Sequence, residues 1–176
     1  MPLLILEGPD GSGKTTLAAK LLKGTGHPTL LIKRSGPPGD IETLQFQARW
    51  IANQAKQGLN IIADRHPLIS EAIYAPVVRK VSPPPWSLQD VIGAMKDKDL
   101  LLIYCRPDYL TMQMGSTKEK QMDGVHTYFR ELVAEYDDWM NLLEGYGVPF
   151  YRHDYTTDPD CFQAVDLVRS FWEKKR

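Results

Sequence analysis

Cysteine is almost missing from this chain: 176 residues contain two, Cys105 and Cys161. Two isolated thiols build neither a disulfide framework nor a Cys/His metal cluster, so the expectation is a cytoplasmic protein that keeps them reduced. Long hydrophobic stretches are missing too. The longest apolar run, Leu100 to Cys105, has six residues, against the ~20 that a membrane-spanning helix needs. The first residues lead straight into an apolar run, so no cleavable leader is expected. Nor is there an excess of charge. Lys and Arg number 21 and Asp and Glu 22, a formal net charge of −1, which removes bulk attraction to nucleic acid or anionic lipid and leaves only a local basic groove open. No internal repeat or linker-like stretch interrupts the composition, and the length fits one domain spanning residues 1–176.

What is present is concentrated at the start. Leu3-Leu4-Ile5-Leu6 enters a glycine-rich turn, and helix-forming residues leave it towards Leu22. Gly8-Pro9-Asp10-Gly11-Ser12-Gly13-Lys14-Thr15 fits the phosphate-binding pattern G-x-x-x-x-G-K-[ST] at every fixed position. Glycines at 8, 11 and 13 let successive N–H groups turn inward on one anion, and a helix opening at Lys14 adds its unpaired donors and the positive end of its dipole. Ser12 and Thr16 complete the lining. Lys14 supplies a mobile positive charge for the β- and γ-phosphates, and the Thr15 hydroxyl is placed to ligate Mg²⁺. A strand before and a helix after are the context that this pattern requires, so a nucleoside triphosphate site with ATP and Mg²⁺ is expected.

Further along, Thr29 to Lys33 reads as a short buried strand running into a breaker-rich loop with Arg34 at its start. Asp40 caps a second helix with apolar residues at Ile41, Leu44, Ala48, Ile51, Ala52 and Ala55. Leu59 to Asp64 is a strand that ends in Asp64-Arg65-His66. Pro67, Pro76 and Pro83-Pro84-Pro85-Trp86 break the next segment into short helices and loops, with Ser87 to Met95 as one helix. Leu100 to Cys105 is apolar on both faces, as a central parallel strand should be. A helix starts at Tyr109, and Gly115 to Met122 is polar. Asp123 caps a long helix with the stripe Val125, Phe129, Leu132, Val133, Tyr136, Met140 and Leu143. Val148 to Tyr151 is a last strand, and Asp158-Pro159 opens a last helix with Phe162, Val165, Val168, Phe171 and Trp172 facing in. Alternating strands and helices imply an α/β protein: a parallel sheet of about five strands with helices on both faces. Ligands then gather where the strands end, beside the loop, Arg34, Asp64-Arg65 and Arg106.

A phosphate loop alone does not specify a reaction. The small size argues against motors and transporters, and phosphoryl transfer needs positioning and charge neutralisation of the kind these residues offer. Asp64 acts either on Mg²⁺ or as proton acceptor for an attacking hydroxyl, and Arg65 bridges donor and acceptor phosphates. A surface ion pair is the plain alternative for this Asp-Arg step.

Glu7-Gly8-Pro9-Asp10-Gly11-Ser12-Gly13-Lys14-Thr15-Thr16 and Asp64-Arg65-His66, followed by Ser70 and Tyr74, resemble the thymidylate kinase family of nucleoside monophosphate kinases and its phage-type relatives. The resemblance implies a three-layer α/β/α P-loop kinase fold and catalytic roles for Lys14, Asp64 and Arg65. It implies that Asp10 holds a deoxyribose 3′-hydroxyl, with Arg65 on the acceptor phosphate. Phe46 and Arg49 look like the family's base-stacking and base-reading pair, the alternative being a core Phe and a solvated Arg. The family's lid brings arginines over the phosphates, whereas Gly115 to Met122 offers only Lys118 and Lys120, which neutralise charge without a bidentate grip. Arg106 and Arg130 are other sources of positive charge. The acceptor implied is a pyrimidine deoxynucleotide such as dTMP. The phage relatives imply 5-hydroxymethyluracil in DNA instead, with Lys33, Arg34, Arg79 and Lys80 as a local basic track. A nucleotide-sensing regulator that transfers phosphate only to water is the alternative of another class. A homodimer through the apolar segment from Ile69 to Val91 is also expected by analogy.

Overall fold

The computed structural model describes residues 2–33, 40–82, 88–95, 99–117 and 121–174. Arg34, Lys118, Lys120 and the Pro83–Trp86 run lie outside the described residues.

Five parallel strands, β1 (Leu3–Glu7), β2 (Thr29–Lys33), β3 (Asn60–Asp64), β4 (Leu100–Cys105) and β5 (Phe150–His153), form one sheet in the order β2-β3-β1-β4-β5. The strand that feeds the glycine loop is therefore central, paired with β3 on one side and β4 on the other, with Leu6 opposite both Asp64 and Ile103. Every residue of β1 and β4 is buried, as the apolar runs Leu3–Leu6 and Leu100–Cys105 require, with the Glu7 carboxylate buried at the end of β1. Among the described residues the outer strand β2 pairs only with β3 and is partly covered, with Leu30 exposed. The expectation of a buried strand fails there because an edge strand has one unshielded flank.

Two layers of helix cover the sheet. α1 (Lys14–Gly24) and α7 (Phe162–Glu173) pack on one face, where Leu17, Ala18, Leu21, Ala164, Val168 and Trp172 are completely buried against Leu4, Leu6, Ile62 and Ile103. The other face carries α2 (Ile41–Lys56), α3 (Pro67–Val77), α4 (Leu88–Met95), α5 (Tyr109–Ser116) and α6 (Phe129–Gly145) over Ile5, Ile61 and Leu102. Among the described residues no helix is long and apolar enough to cross a membrane.

Local chemistry sets most boundaries. Asp40 caps α2, its Oδ1 accepting the Thr43 N–H at 2.7 Å. In α2 the stripe holds at Leu44, Ile51 and Ala55, while Ala52 is exposed. Pro67 does not break the chain: it stands at the first position of α3, where a missing N–H costs nothing, and Pro76 sits in the last turn. Ten of the eleven residues of α3 are buried within the chain.

Four starts differ from expectation. β3 begins at Asn60, leaving Leu59 exposed. α6 begins at Phe129, not Asp123, because Gly124 takes φ +88° and residues 123–128 form turns. β5 begins at Phe150: the Val148 N–H is consumed in closing α6 on Leu143 O at 3.1 Å, and Pro149 has no N–H to give. α7 begins at Phe162, whose amide, with that of Gln163, bonds the Asp158 carboxylate at 2.9 and 3.2 Å. Phe162, on the first turn, faces solvent instead of the core.

Candidate active site

The loop between β1 and α1 lies at the C-terminal edge of the sheet, over the central strand. Gly13 sits at φ +84° as the residue before α1, a left-handed turn that favours glycine. The first α1 amide to find a helical acceptor is Leu17 N, on Gly13 O at 2.9 Å. The amides of Lys14, Thr15 and Thr16 are left at the open end of the helix, where the dipole favours an anion. A cleft of about 540 Å³ opens there, lined by Asp10 to Thr16, Asp64, Arg65, Gly115, Tyr155 and Pro159. Thr15 and Thr16 are exposed to it.

Lys14 is folded back on its own loop. Its ammonium donates to Gly8 O at 2.8 Å, Pro9 O at 2.6 Å and Ser12 Oγ at 3.1 Å. Burial, reinforced by the Arg65 cation, pushes its pKa down to about 8 despite Asp10 and Asp64. The charge is thus held in reserve beside the cleft, bonded to neutral carbonyls that an anion can replace.

Arg65 follows β3 at φ +75°, uncommon for a residue with a side chain. Four contacts hold it. Its amide donates to Leu6 O at 2.9 Å, Nη2 pairs with Asp10 Oδ1 at 2.6 Å, and Nη1 donates to Gly8 O at 3.1 Å and to the Tyr136 hydroxyl at 2.5 Å. The guanidinium also lies 5.1 Å from the centre of the Tyr74 ring, and the Tyr74 hydroxyl donates to Asp10 Oδ2 at 2.8 Å. Burial opposes charge on Asp10, but Arg65, Lys14 and the Tyr74 hydrogen bond outweigh it and hold its pKa below the ordinary value. Arg65 and Asp10 are therefore both ionised at neutral pH, in contact across the loop. Asp64, in register with Leu6, stands half-buried at the cleft wall.

Among the expected site residues, Gly8, Asp10, Gly11, Ser12, Gly13, Lys14, Thr15, Thr16, Asp64 and Arg65 come together here. Arg34 of the acceptor set and the lid pair Lys118 and Lys120 are outside the described residues. Phe46 and Arg49 do not line this cleft. Phe46 is 64 % exposed on α2, and Arg49 bonds Gln45 O at 3.2 Å and borders a separate cavity of about 690 Å³ with His66, Leu68 and Met95. Arg106 is engaged elsewhere, its Nε and Nη2 each 2.8 Å from the two Asp137 oxygens. Arg130 is exposed on α6.

Three contributors escaped the pattern reading. Gly115 and Ser116 belong to the last turn of α5, not to a polar lid, and Gly115 backs directly onto the loop. A Cβ on Gly11 would lie 2.3 Å from Met112 O, and one on Gly115 would lie 2.9 Å from Gly11 O. Two glycines at helical distance from nothing else in the motif gave no sign of this contact. Tyr155 covers Gly13, its ring 2.6 Å from where a Cβ would stand. Tyr136 reads as a core position in a helical stripe, and its hydroxyl is in the site.

No protein-family model matches the chain, and no curated protein sequence matches it. Solved structures do. The chain superposes on YorR from Bacillus subtilis, described in complex with phosphorylated GDP, with a TM-score of 0.69 and 24% identity over 94% of this chain and 93% of that one. Deoxyadenosine kinase from M. mycoides, described with dCMP and dCDP, gives 0.60 at 18% identity, covering 96% of this chain and 99% of that one. The same kinase with dATP gives 0.58 at 17% identity, over 97% of this chain and 99% of the other. The three-layer fold built on a central phosphate loop is shared with these proteins.

Proposed function

We propose that this chain is an ATP- and Mg²⁺-dependent phosphotransferase whose acceptor is a pyrimidine deoxynucleotide. The observation that carries the reading is the meeting of two charged devices in one cleft. The loop amides with Lys14 form a triphosphate seat, and the Arg65–Asp10 pair stands beside it. The likeness to a deoxyadenosine kinase described with bound nucleotides, and to a protein described with phosphorylated GDP, supports the class of reaction.

In this reading the triphosphate takes the α1 amides, and Lys14 exchanges its loop carbonyls for the β- and γ-phosphate oxygens. Arg65 orients the phosphoryl group in transit and the acceptor phosphate, and Asp10 accepts a hydrogen bond from the acceptor's sugar hydroxyl. Most of the acceleration comes from position and fixed charge, since phosphoryl transfer asks little covalent chemistry of a protein. The donor set fits a hard cation: the exposed Thr15 hydroxyl and the half-buried Asp64 carboxylate border the same cleft. They would hold Mg²⁺, which when bound offsets phosphate charge.

The pyrimidine preference rests on the resemblance of Phe46 and Arg49 to a base-reading pair alone: Arg49 borders the second cavity beside His66, and the neighbours are described with purine and pyrimidine nucleotides alike. DNA carrying 5-hydroxymethyluracil fits less well. Of its basic track, Arg79 is paired with Glu71 and Lys80 sits 3.7 Å over the Tyr128 ring. Incubation with γ-labelled ATP and a panel of deoxynucleosides, their monophosphates and hydroxymethyluracil DNA separates the acceptors. Label should appear in dTMP or dCMP first. Label on DNA alone overturns the acceptor, and label only in inorganic phosphate makes the chain an ATP-consuming regulator.

A further inference from the structure

We propose that Tyr136 is the positioning residue for Arg65: its hydroxyl links the guanidinium to the buried carboxylate of Glu7 and fixes the direction in which Arg65 presents its charge. The inference rests on the phosphotransferase reading for its kinetic consequence, and on geometry for the rest.

Tyr136 stands 71 residues from Arg65, on α6, and its side chain is completely buried. Its hydroxyl accepts from Arg65 Nη1 at 2.5 Å and gives its only proton to Glu7 Oε2 at 3.3 Å. A phenylalanine would fill the same space and do neither. Glu7 is itself immobilised, as Oε1 accepts the His66 N–H at 2.5 Å and the Ser70 hydroxyl at 3.3 Å. Those two residues bracket the first turn of α3, so the carboxylate reads the position of the strand-to-helix turn that carries Arg65.

The ring cannot drift. It packs edge-on to Tyr74, centroids 6.1 Å apart at 83°, and parallel to Tyr104, 6.4 Å apart at 15°. The next residue on α6, Asp137, is gripped by Arg106 at two points and accepts the Tyr104 hydroxyl at 2.7 Å. α6 is therefore pinned to the end of β4 one residue away from the phenol.

A phenol suits this place better than a carboxylate would. Arg65 already has one full counter-charge in Asp10. A second carboxylate on Nη1 would leave the cation over-neutralised and poorly disposed towards a phosphate. A neutral hydroxyl, polarised by Glu7 behind it, sets the orientation and keeps the charge available.

The test combines kinetics with a spectroscopic readout of Arg65, using the full chain. Tyr136→Phe should lower kcat at least tenfold while leaving KM for ATP within twofold. In an Arg65→Lys background the same substitution should cost no more than twofold further. By ¹⁵N NMR the Arg65 guanidinium should rotate slowly in the wild type and rapidly in Tyr136→Phe. An unchanged kcat, a drop that persists fully in the Arg65→Lys background, or an Arg65 equally slow in both proteins would overturn the proposal. Should Tyr136→Phe not fold, absence of a nuclear Overhauser contact between the Arg65 side chain and the Tyr136 ring in the wild type would overturn it alone. A guanidinium released by Tyr136→Phe in a protein that transfers phosphate to no acceptor would support the positioning and overturn the phosphotransferase reading instead.

Discussion

With ATP seated as proposed, Lys14 should make its binding sensitive to alkaline pH. In the ligand-free protein its pKa is pushed down to about 8 by burial, with Arg65 contributing. A triphosphate beside it favours the ammonium and returns the pKa towards or beyond its ordinary 10.5. Between those values binding must take up a proton, so affinity falls as pH rises. With one such group, Kd for Mg-ATP should weaken roughly eightfold from pH 7.5 to 9, and at pH 8 about half a proton should be taken up per ATP bound. Other displaced groups of the site stay outside that window: Asp10 lies below the carboxylate norm, Cys105 is raised to about 12 by burial, and Tyr74 and Tyr136 are raised above their usual range. Isothermal titration in two buffers of different ionisation heat measures both quantities. The ligand-free fold should show the opposite slope. From about pH 8 to 10.5 the unfolded chain holds the extra Lys14 proton, so stability rises with pH, while below pH 8 both states are protonated and the cost of the buried ammonium is borne in full. Lys14→Met should flatten both profiles. A wild-type Kd that does not change from pH 7.5 to 9, with no proton uptake, would refute the reasoning.

Asp10→Asn leaves Arg65 without its ionic partner in a site where both side chains are at most one-fifth exposed, so denaturant melts should show a loss of ~2–4 kcal/mol. Gly115→Ala drives a methyl against the backbone of the phosphate loop; a loss of ~1–3 kcal/mol is expected, with ATP affinity falling alongside it. Phe46→Ala removes an exposed ring and should move stability by under ~0.5 kcal/mol, so a rise in acceptor KM in that variant measures base stacking free of any folding effect. Asp40→Ala should lower the melting temperature by uncapping α2 and leave catalysis unchanged, which thermal melts and kcat together check.

How much of this was legible beforehand depended on whether the signal was local. The glycine loop, the start of α1 at Lys14, the bounds of β2 and β4, and the Asp40 cap follow from neighbours in sequence and appear where they were expected. Gly124 at φ +88°, where an added Cβ would meet Val78, moved the start of α6, and Pro149 moved that of β5. The site was legible as far as the residues of the loop and the Asp64-Arg65 step. Its geometry was not. The Gly11–Gly115 contact and the Tyr136 hydroxyl arise from α5 and α6 arriving over β1 from far along the chain, and Arg65's left-handed backbone stands where its amide bonds Leu6 O across the sheet. A helical stripe at Tyr136 records that the ring is buried and carries no sign of what its oxygen touches.

The central claim is that the loop seats a triphosphate and that Lys14 carries its terminal phosphate towards an acceptor. Transfer of labelled γ-phosphate from ATP to deoxynucleoside monophosphates, run in parallel on the wild type and on Lys14→Ala, tests it most directly. The account predicts acceptor-dependent transfer by the wild type and its loss by a factor of ~100 or more in the variant. Undiminished transfer by Lys14→Ala, or ATP turnover that is the same with and without any acceptor, would contradict it.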